Sequence, residues 1–225
     1  MGTVSGWIGE RKTAFRMWLF LPADTYQRRH NIIIPSKNGT TQIDHLIVSL
    51  SGIFIIETKN LKGWIFGSSQ QSHWTQVIFG HKYQFQNPIR QTYRQRKILA
   101  EYLGIDETVI HTVIFFAGHC RFKTMMPFNV INSRLSSHIK SYQEQMLAPE
   151  QISQILTEID KLRLNPDLTT KTHVKSLRER YSSTTICPKC GGNLVQRTAK
   201  RGYDANSIFL GCANYPQCRF TRNIG

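Results

Sequence analysis

Four of the five cysteines lie in two close pairs near the end of the chain. Cys187 and Cys190 form the first pair, and Cys212 and Cys218 form the second, with 21 residues between the pairs. Two thiolate pairs at such spacing are typical of a tetrahedral zinc site. Because so short a segment cannot build an adequate apolar core, we expect zinc binding and folding of residues 184–225 to be one equilibrium.

The same segment combines basic side chains with aromatic rings. Asp204 is its single acidic residue. Cations contact phosphates, and exposed rings stack on bases, so the composition predicts binding to nucleic acid. Phe209 and Phe220 are expected to pack the segment itself. The candidate DNA-binding residues here are Lys189, Arg197, Lys200, Tyr203, Tyr215 and Arg219.

A second group of residues suits phosphodiester chemistry. Asp44 lies in one predicted strand, and Glu57 and Lys59 end the next, two residues apart and therefore on one face. If the hairpin between these strands turns on Leu50 and Ser51, Asp44 lies directly across from Glu57. A three-residue loop would separate the two carboxylates, and the apolar pattern does not choose between the two registers.

Two adjacent carboxylates repel each other unless a cation or a proton intervenes, which suits Mg²⁺ or Mn²⁺. Such an ion would acidify water, and Lys59 would orient that water or help to deprotonate it for attack on a phosphodiester. Glu10, on the inward face of a predicted opening helix, could assist. The structural alternatives are that Glu10 caps or salt-bridges its helix and that Asp44 pairs with Lys59.

The elements around these residues predict a mixed α/β fold, in which a central sheet is flanked by helices. Alternating and apolar runs predict strands at 26–34, 41–50, 53–59, 63–66, 74–79, 109–117 and 128–131. Helices are predicted at 6–21, from Asn87-Pro88 to about 103, at 149–164 and at 171–181. We expect an α/β domain at 1–165, a helical linker at 166–183 and a zinc ribbon at 184–225.

The charge of the chain points to a polyanionic partner. The 29 Lys and Arg residues exceed the 14 Asp and Glu residues, which leaves a net charge of +15. Residues 58–100 carry no acidic side chain, and Arg90, Arg94 and Lys97 are candidate DNA contacts there. The alternatives are charge that only maintains solubility and binding to a membrane surface. Without a secretory leader or a long apolar run, and with metal-type cysteines, we expect a cytoplasmic protein that does not insert into a membrane.

Both regions resemble known families. The pattern around Cys187-Pro-Lys-Cys190-Gly-Gly, Gly211-Cys212 and Tyr215-Pro-Gln-Cys218-Arg-Phe resembles the zinc ribbon at the C-terminus of bacterial type I topoisomerases. In that family the ribbon binds DNA, especially single strands. The resemblance implies the same task here.

The first half of the chain resembles the nuclease-related domain, NERD, a member of the PD-(D/E)XK nuclease-like fold. The resemblance rests on Gly6-x-x-Gly9-Glu10, Gln42-Ile-Asp44-His45, Gly52-Ile-Phe-Ile-Ile-Glu57-Thr-Lys59-Asn60, Gly63-Trp64-Ile65 and Asn87-Pro88-x-x-Gln91. It implies that Glu10, Asp44, Glu57, Lys59 and Gln91 are site residues. His45 alternates to the opposite face from Asp44 and is expected to be a core or surface residue.

These observations predict a deoxyribonuclease that depends on Mg²⁺ or Mn²⁺ and carries a structural zinc ion, with no small-molecule cofactor. The alternatives are a non-catalytic DNA-binding protein that uses a nuclease-like fold and an RNA-processing enzyme with the same chemistry.

Overall fold

The computed structural model describes Thr13 and residues 20–37, 39–189, 192–200, 206–216 and 218–224. The predicted opening helix with Glu10 lies largely outside these residues, as do Cys190 and Tyr203. The chain forms two compact units. The first comprises Met1–Ile34 and Gln42–Asn165, and the second comprises Pro35–Thr41 and Pro166–Gly225.

The described residues form twelve strands and four α-helices. The strands are β1 (Gln27–Ser36), β2 (Gly39–Ser49), β3 (Gly52–Lys59), β4 (Gly63–Phe66), β5 (His73–Ile78), β6 (His81–Gln86), β7 (Ile110–Phe116), β8 (Cys120–Phe122), β9 (Val130–Ile131), β10 (Leu194–Thr198), β11 (Ile208–Cys212) and β12 (Thr221–Asn223). The helices are α1 (Pro88–Leu103), α2 (Leu135–Lys140), α3 (Pro149–Leu164) and α4 (Thr170–Ser182). The predicted mixed α/β class is confirmed.

The central sheet of the first unit has the strand order β1-β2-β3-β7-β9. Strand β3 pairs antiparallel with β2 and parallel with β7, so it lies in the interior of the sheet. Its side chains are buried from Gly52 to Thr58, as expected for a strand that is covered on both faces. On one face, Leu135 and Ile139 of α2 pack with Phe54 and Phe115. The sheet is therefore a metal-independent apolar scaffold for the residues at the end of β3.

A two-residue turn sets the register between β2 and β3. Ser49 pairs with Gly52, so the chain reverses at Leu50 and Ser51, and the ladder continues to the pair of His45 with Ile56. Gly52 has a φ angle of 111°. A Cβ at this position would lie 2.6 Å from the backbone oxygen of Val109, the residue just before β7. Only glycine fits this position without strain. The shorter of the two possible loops is thus the one observed.

A second sheet, with the order β6-β5-β4-β8, continues from the central one. The neighbouring strands β3 and β7 lead, after short bends, into β4 and β8, which are again parallel neighbours. One face of this sheet packs Ile65, Trp74 and Phe122 against Phe116 of β7. Strands β6 and β8 and helix α2 were not predicted from the sequence.

Helix α1 begins and ends where its sequence indicates. Asn87 caps it by accepting a hydrogen bond from the Ile89 N–H at 2.9 Å, and Pro88 occupies the first turn. Gly104 ends it with a φ angle of 64°. The side-chain amide of Asn87 also donates to carbonyls of the 68–71 loop. The helix is held at its N-terminal end and lies against β3 and β7.

The second unit contains α4 and a three-stranded sheet, β10-β11-β12. The helix contacts the tip between β1 and β2, where Thr40 hydrogen-bonds His173 at 2.7 Å. The small sheet buries Leu194 and Leu210 together with three cysteines. Among the described residues, no helix combines the length and apolar character that crossing a bilayer requires.

Candidate active site and zinc site

Glu57 forms the centre of a polar cluster at the end of β3. Its side chain is buried, and its two carboxylate oxygens have different partners. Lys59 Nζ donates to Oε1 at 2.6 Å, and Gln95 Nε2 donates to Oε2 at 3.1 Å. A buried carboxylate is costly unless it is paired and hydrogen-bonded, and both requirements are met here. The strand period brings Glu57 and Lys59 to one face of the sheet, as predicted.

The Asp44 side chain contacts β3 at the point where the backbone pairing between β2 and β3 ends. The paired register between β2 and β3 stops at His45 and Ile56, and its next step would place Asp44 opposite Glu57. At this point the Asp44 carboxylate accepts a hydrogen bond from the Thr58 N–H at 3.1 Å. The Asp44 side chain thus links β2 to the backbone of β3 one residue beyond Glu57.

Helix α1 contributes two glutamines, one turn apart, to this cluster. Gln91 Oε1 accepts a hydrogen bond from Lys59 Nζ at 3.1 Å. Gln95, which the sequence reasoning missed, bonds the carbonyl of Gln42 at 2.8 Å in addition to Glu57. The i,i+4 spacing of the two glutamines on one helix face is the signal that could have found Gln95. Four polar residues from two elements therefore converge, while Glu10 lies outside the described residues.

The donor set fits a hard divalent cation. Mg²⁺ and Mn²⁺ prefer carboxylate oxygens, which Asp44 and Glu57 supply from adjacent strands. The Oε1 atom of Gln95 is buried and has no hydrogen-bond partner in the described part of the chain. A water molecule in the hydration shell of a cation beside Glu57 would supply the missing donor.

His45 lies next to Asp44 in sequence but in a different environment. It is buried, as expected, and its Nδ1 lies 2.8 Å from Nδ1 of His30. Burial, with the nearby charge of His30, lowers the pKa of His45 to about 3. The imidazole is therefore neutral at physiological pH and is a core residue.

The cysteines of the second unit form a metal-type cluster. The sulfur atoms of Cys187, Cys212 and Cys218 lie within 4.8 Å of one another, and all three are buried. Two sulfurs in tetrahedral zinc are about 3.8 Å apart. The separation between the Cys187 and Cys218 sulfurs is 3.7 Å. These three residues fit the predicted zinc site, and Cys190 lies outside the described residues.

Two family models match the chain. The first, described as a nuclease-related domain, covers residues 5–117, which is half of the chain. The chain belongs to the nuclease-related domain family. The second model, described as a topoisomerase DNA binding C4 zinc finger, covers residues 184–225. Together with the cysteine cluster, it supports a structural zinc ion and DNA binding by this segment.

Two relatives match this chain, and they cover different shares of it. An uncharacterized protein of Bacillus anthracis is 31% identical over 187 residues, which cover 80% of this chain and 88% of the relative. DNA topoisomerase 1 of Archaeoglobus fulgidus is 41% identical over 75 residues, which cover 32% of this chain and 9% of the topoisomerase. No solved structure matches the chain significantly.

The candidate DNA contacts of the nuclease-related domain lie on α1, where several of them have protein partners. Lys97 Nζ lies 2.7 Å from Glu107, and this carboxylate raises the pKa of the lysine. Arg90 donates to the carbonyl of Gln70, and Arg94 is half-buried. Arg90 therefore fixes a loop as well as carrying charge, and Lys97 is partly neutralised.

The candidate contacts of the ribbon are more open to a ligand. Tyr215 is 59% exposed, and the guanidinium of Arg197 lies 5.8 Å from the centre of its ring. Phe220 instead packs partly against the cysteine cluster, as predicted. The remaining described candidates, Lys189, Lys200 and Arg219, are exposed. Tyr203 lies outside the described residues.

Proposed function

We propose that the protein is a metal-dependent nuclease that hydrolyses DNA phosphodiesters in its first unit and binds DNA through its ribbon. The observation that carries this proposal is the cluster at the end of β3. A buried carboxylate, Glu57, is paired with Lys59 and lies next to the strand position of Asp44. A buried ion pair is seldom more stabilising than apolar residues of the same volume, so its presence here favours a functional role.

The residues of the cluster take distinct roles in this proposal. Asp44 and Glu57 hold Mg²⁺ or Mn²⁺, an ion that would neutralise phosphate charge and acidify water. Lys59, whose ammonium group pairs with Glu57, would donate a hydrogen bond that orients the attacking water and would stabilise the negative charge that develops on the phosphate. Gln91 holds Lys59 in place by accepting its hydrogen bond. Glu10 is included as an assisting carboxylate from the resemblance alone.

The ribbon raises the local concentration of DNA at the nuclease unit. Its exposed cations contact phosphates, and Tyr215 offers a ring for stacking, which favours single strands. Tethering a substrate through a second site increases its effective concentration without any new contact at the first. We also propose a cytoplasmic location, because thiolates that bind zinc require a reducing compartment.

The second candidate function is a non-catalytic DNA-binding protein. The Lys59–Glu57 ion pair favours it in one respect, because the pair satisfies the buried carboxylate even without a cation. In that case the cluster would only stabilise the end of β3.

Cleavage assays distinguish the two functions. Single-stranded and duplex DNA are incubated with the zinc-loaded protein in Mg²⁺, in Mn²⁺, in Ca²⁺ or without added metal. Chelators are avoided because they would also remove zinc from the ribbon. Cleavage that requires Mg²⁺ or Mn²⁺ and is lost in Asp44→Ala and Glu57→Ala supports the nuclease. Binding of DNA without cleavage under every condition supports the second candidate.

A further inference from the structure

The second sheet of the first unit has two chemically different faces. Strand pairing places Trp64 opposite Val77 on one side and opposite Arg121 on the other. Val77 in turn pairs with Lys82, so these four residues cross all four strands in one row. Among the alternate residues, Ile65, Trp74 and Phe122 pack into the apolar core instead. We call the face with Trp64, Arg121, Val77 and Lys82 the outer face.

A half-exposed indole ring lies on the outer face. Trp64 is 48% exposed, whereas Trp74 in the neighbouring strand is fully buried. Lys123 Nζ lies 4.5 Å from the centre of the Trp64 ring, which is a cation–π distance. Phe66 follows two residues later on the same face and is half-buried. The face therefore offers one ring for stacking and a second ring beside it.

The charge of the outer face is of one sign. Arg121, Lys123 and Lys82 are exposed there, and the sequences of β4, β5, β6 and β8 contain no Asp or Glu. A flat surface that combines an exposed ring with cations and lacks acids matches the stacking bases and phosphates of a nucleic acid strand. A duplex is a poorer fit because its base faces are stacked inside the helix.

We propose that the outer face binds single-stranded DNA, with one base stacked on Trp64 and the flanking phosphates contacted by Arg121 and Lys123. Trp64 lies five positions after Lys59 in the chain, so their Cα atoms are at most ~18 Å apart. A strand on this face would lead towards the polar cluster within a few nucleotides. The inference rests on the proposed action on DNA, but it does not require cleavage.

Photochemical cross-linking tests the site directly. The zinc-loaded full chain is irradiated with a short oligothymidylate that carries 5-iodouracil, without added Mg²⁺ or Mn²⁺ so that the strand stays intact. Adducts are then located by mass spectrometry. We expect an adduct at Trp64 that disappears in Trp64→Ala. Adducts confined to other parts of the chain, such as the ribbon or α1, would overturn the proposal.

Affinity measurements give the size of the contribution. In fluorescence anisotropy, Trp64→Ala should weaken binding of the oligothymidylate roughly 5- to 100-fold, whereas Trp64→Phe should retain most of it. Phe79→Ala is the matched control, because Phe79 is 94% exposed in the turn between β5 and β6 and lies outside the row. Duplex affinity should be the same in all variants.

The outcomes separate this proposal from that of catalysis. An equal loss in Phe79→Ala and Trp64→Ala, or tighter binding of RNA than of DNA of the same sequence, would contradict the assignment. If the wild-type protein cross-links through Trp64 but cleaves no DNA in Mg²⁺ or Mn²⁺, the proposed nuclease function is wrong, whereas the proposal that the outer face binds single-stranded DNA still holds.

Discussion

The two units differ in what holds their functional groups in place. In the first unit, Glu57 lies in a sheet whose neighbours are buried aliphatic and aromatic side chains. Among the residues of the second unit that the structure describes, the buried cluster consists of three cysteines with Leu194 and Leu210, and Phe220 packs partly against it. The Glu57 cluster is supported by an apolar core that needs no ion. In the ribbon, the cysteines and their zinc ion take the place of such a core. Under the proposed function, removal of the catalytic ion should abolish cleavage by the first unit without unfolding it, whereas removal of zinc should unfold the ribbon.

The largest effect should come from loss of a zinc ligand. Cys212→Ser removes one of the three clustered thiols that the structure describes in the ribbon, and zinc contributes on the order of 10 kcal/mol to the folding of such small modules. We expect the variant to lose its zinc, to lose hydrogen-exchange protection across β10–β12 and to bind DNA more weakly. The first unit should keep its protection. Zinc content equal to that of the wild type would contradict the ligand assignment.

Cys120 supplies the matched control for this substitution. It is a buried thiol of the first unit, and burial raises its pKa to about 11, so it is protonated at neutral pH. Cys120→Ala should leave the zinc content unchanged. A loss of zinc in this variant would show that the two units depend on one another.

A smaller loss of stability is expected from Gln95→Ala. This substitution tests whether the polar cluster tolerates a carboxylate that lacks a hydrogen-bond donor. Gln95→Ala deprives Glu57 Oε2 and the Gln42 carbonyl of a buried donor, which should lower the unfolding free energy of the first unit by roughly 2–3 kcal/mol. Denaturation in urea, followed by tryptophan fluorescence, measures the change. Gln91→Ala, at a half-buried position, is the control and should cost less than about 1 kcal/mol. Equal losses in both variants would argue against the special role of Gln95.

The smallest effect concerns a surface ion pair that is unrelated to either site. Two nitrogens of the Arg29 guanidinium, Nε and Nη2, donate to the Asp160 carboxylate at 2.7 Å, and the arginine lowers the pKa of Asp160. A lowered folded-state pKa gives stability that is present above the ordinary carboxyl pKa and is lost as the pH falls through the folded-state pKa. Asp160→Asn should therefore cost about 0.5–1 kcal/mol at pH 7. The difference should disappear under strongly acidic conditions, and a difference independent of pH would exclude the ion pair as its cause.

The zinc site could be predicted from the sequence more fully than the polar cluster at the end of β3. The zinc ligands could be recognised because their spacing is local. The loop between β2 and β3 could not be chosen from the sequence, because the apolar pattern fits a two-residue and a three-residue loop equally well, and the structure has the two-residue turn. Gln95 was not recognised, because a buried glutamine on a polar helix looks like a solvated residue until the helix is docked on β3. Strands β6 and β8 were missed for a similar reason. They are short and rich in polar residues, and their strand conformation comes from neighbours that are distant in sequence.

A paired assay of Lys59→Ala tests whether the polar cluster at the end of β3 carries out the proposed hydrolysis. Single-turnover cleavage and DNA affinity are measured on the same zinc-loaded preparation, in Mg²⁺ and in Ca²⁺ respectively, beside the wild type and Lys161→Ala, which removes an exposed lysine far from the cluster in sequence. The account predicts that Lys59→Ala cleaves about 10²–10⁴-fold more slowly while its DNA affinity stays close to that of the wild type. Wild-type cleavage in Lys59→Ala would contradict the account, because the lysine that pairs with Glu57 would then have no part in the chemistry.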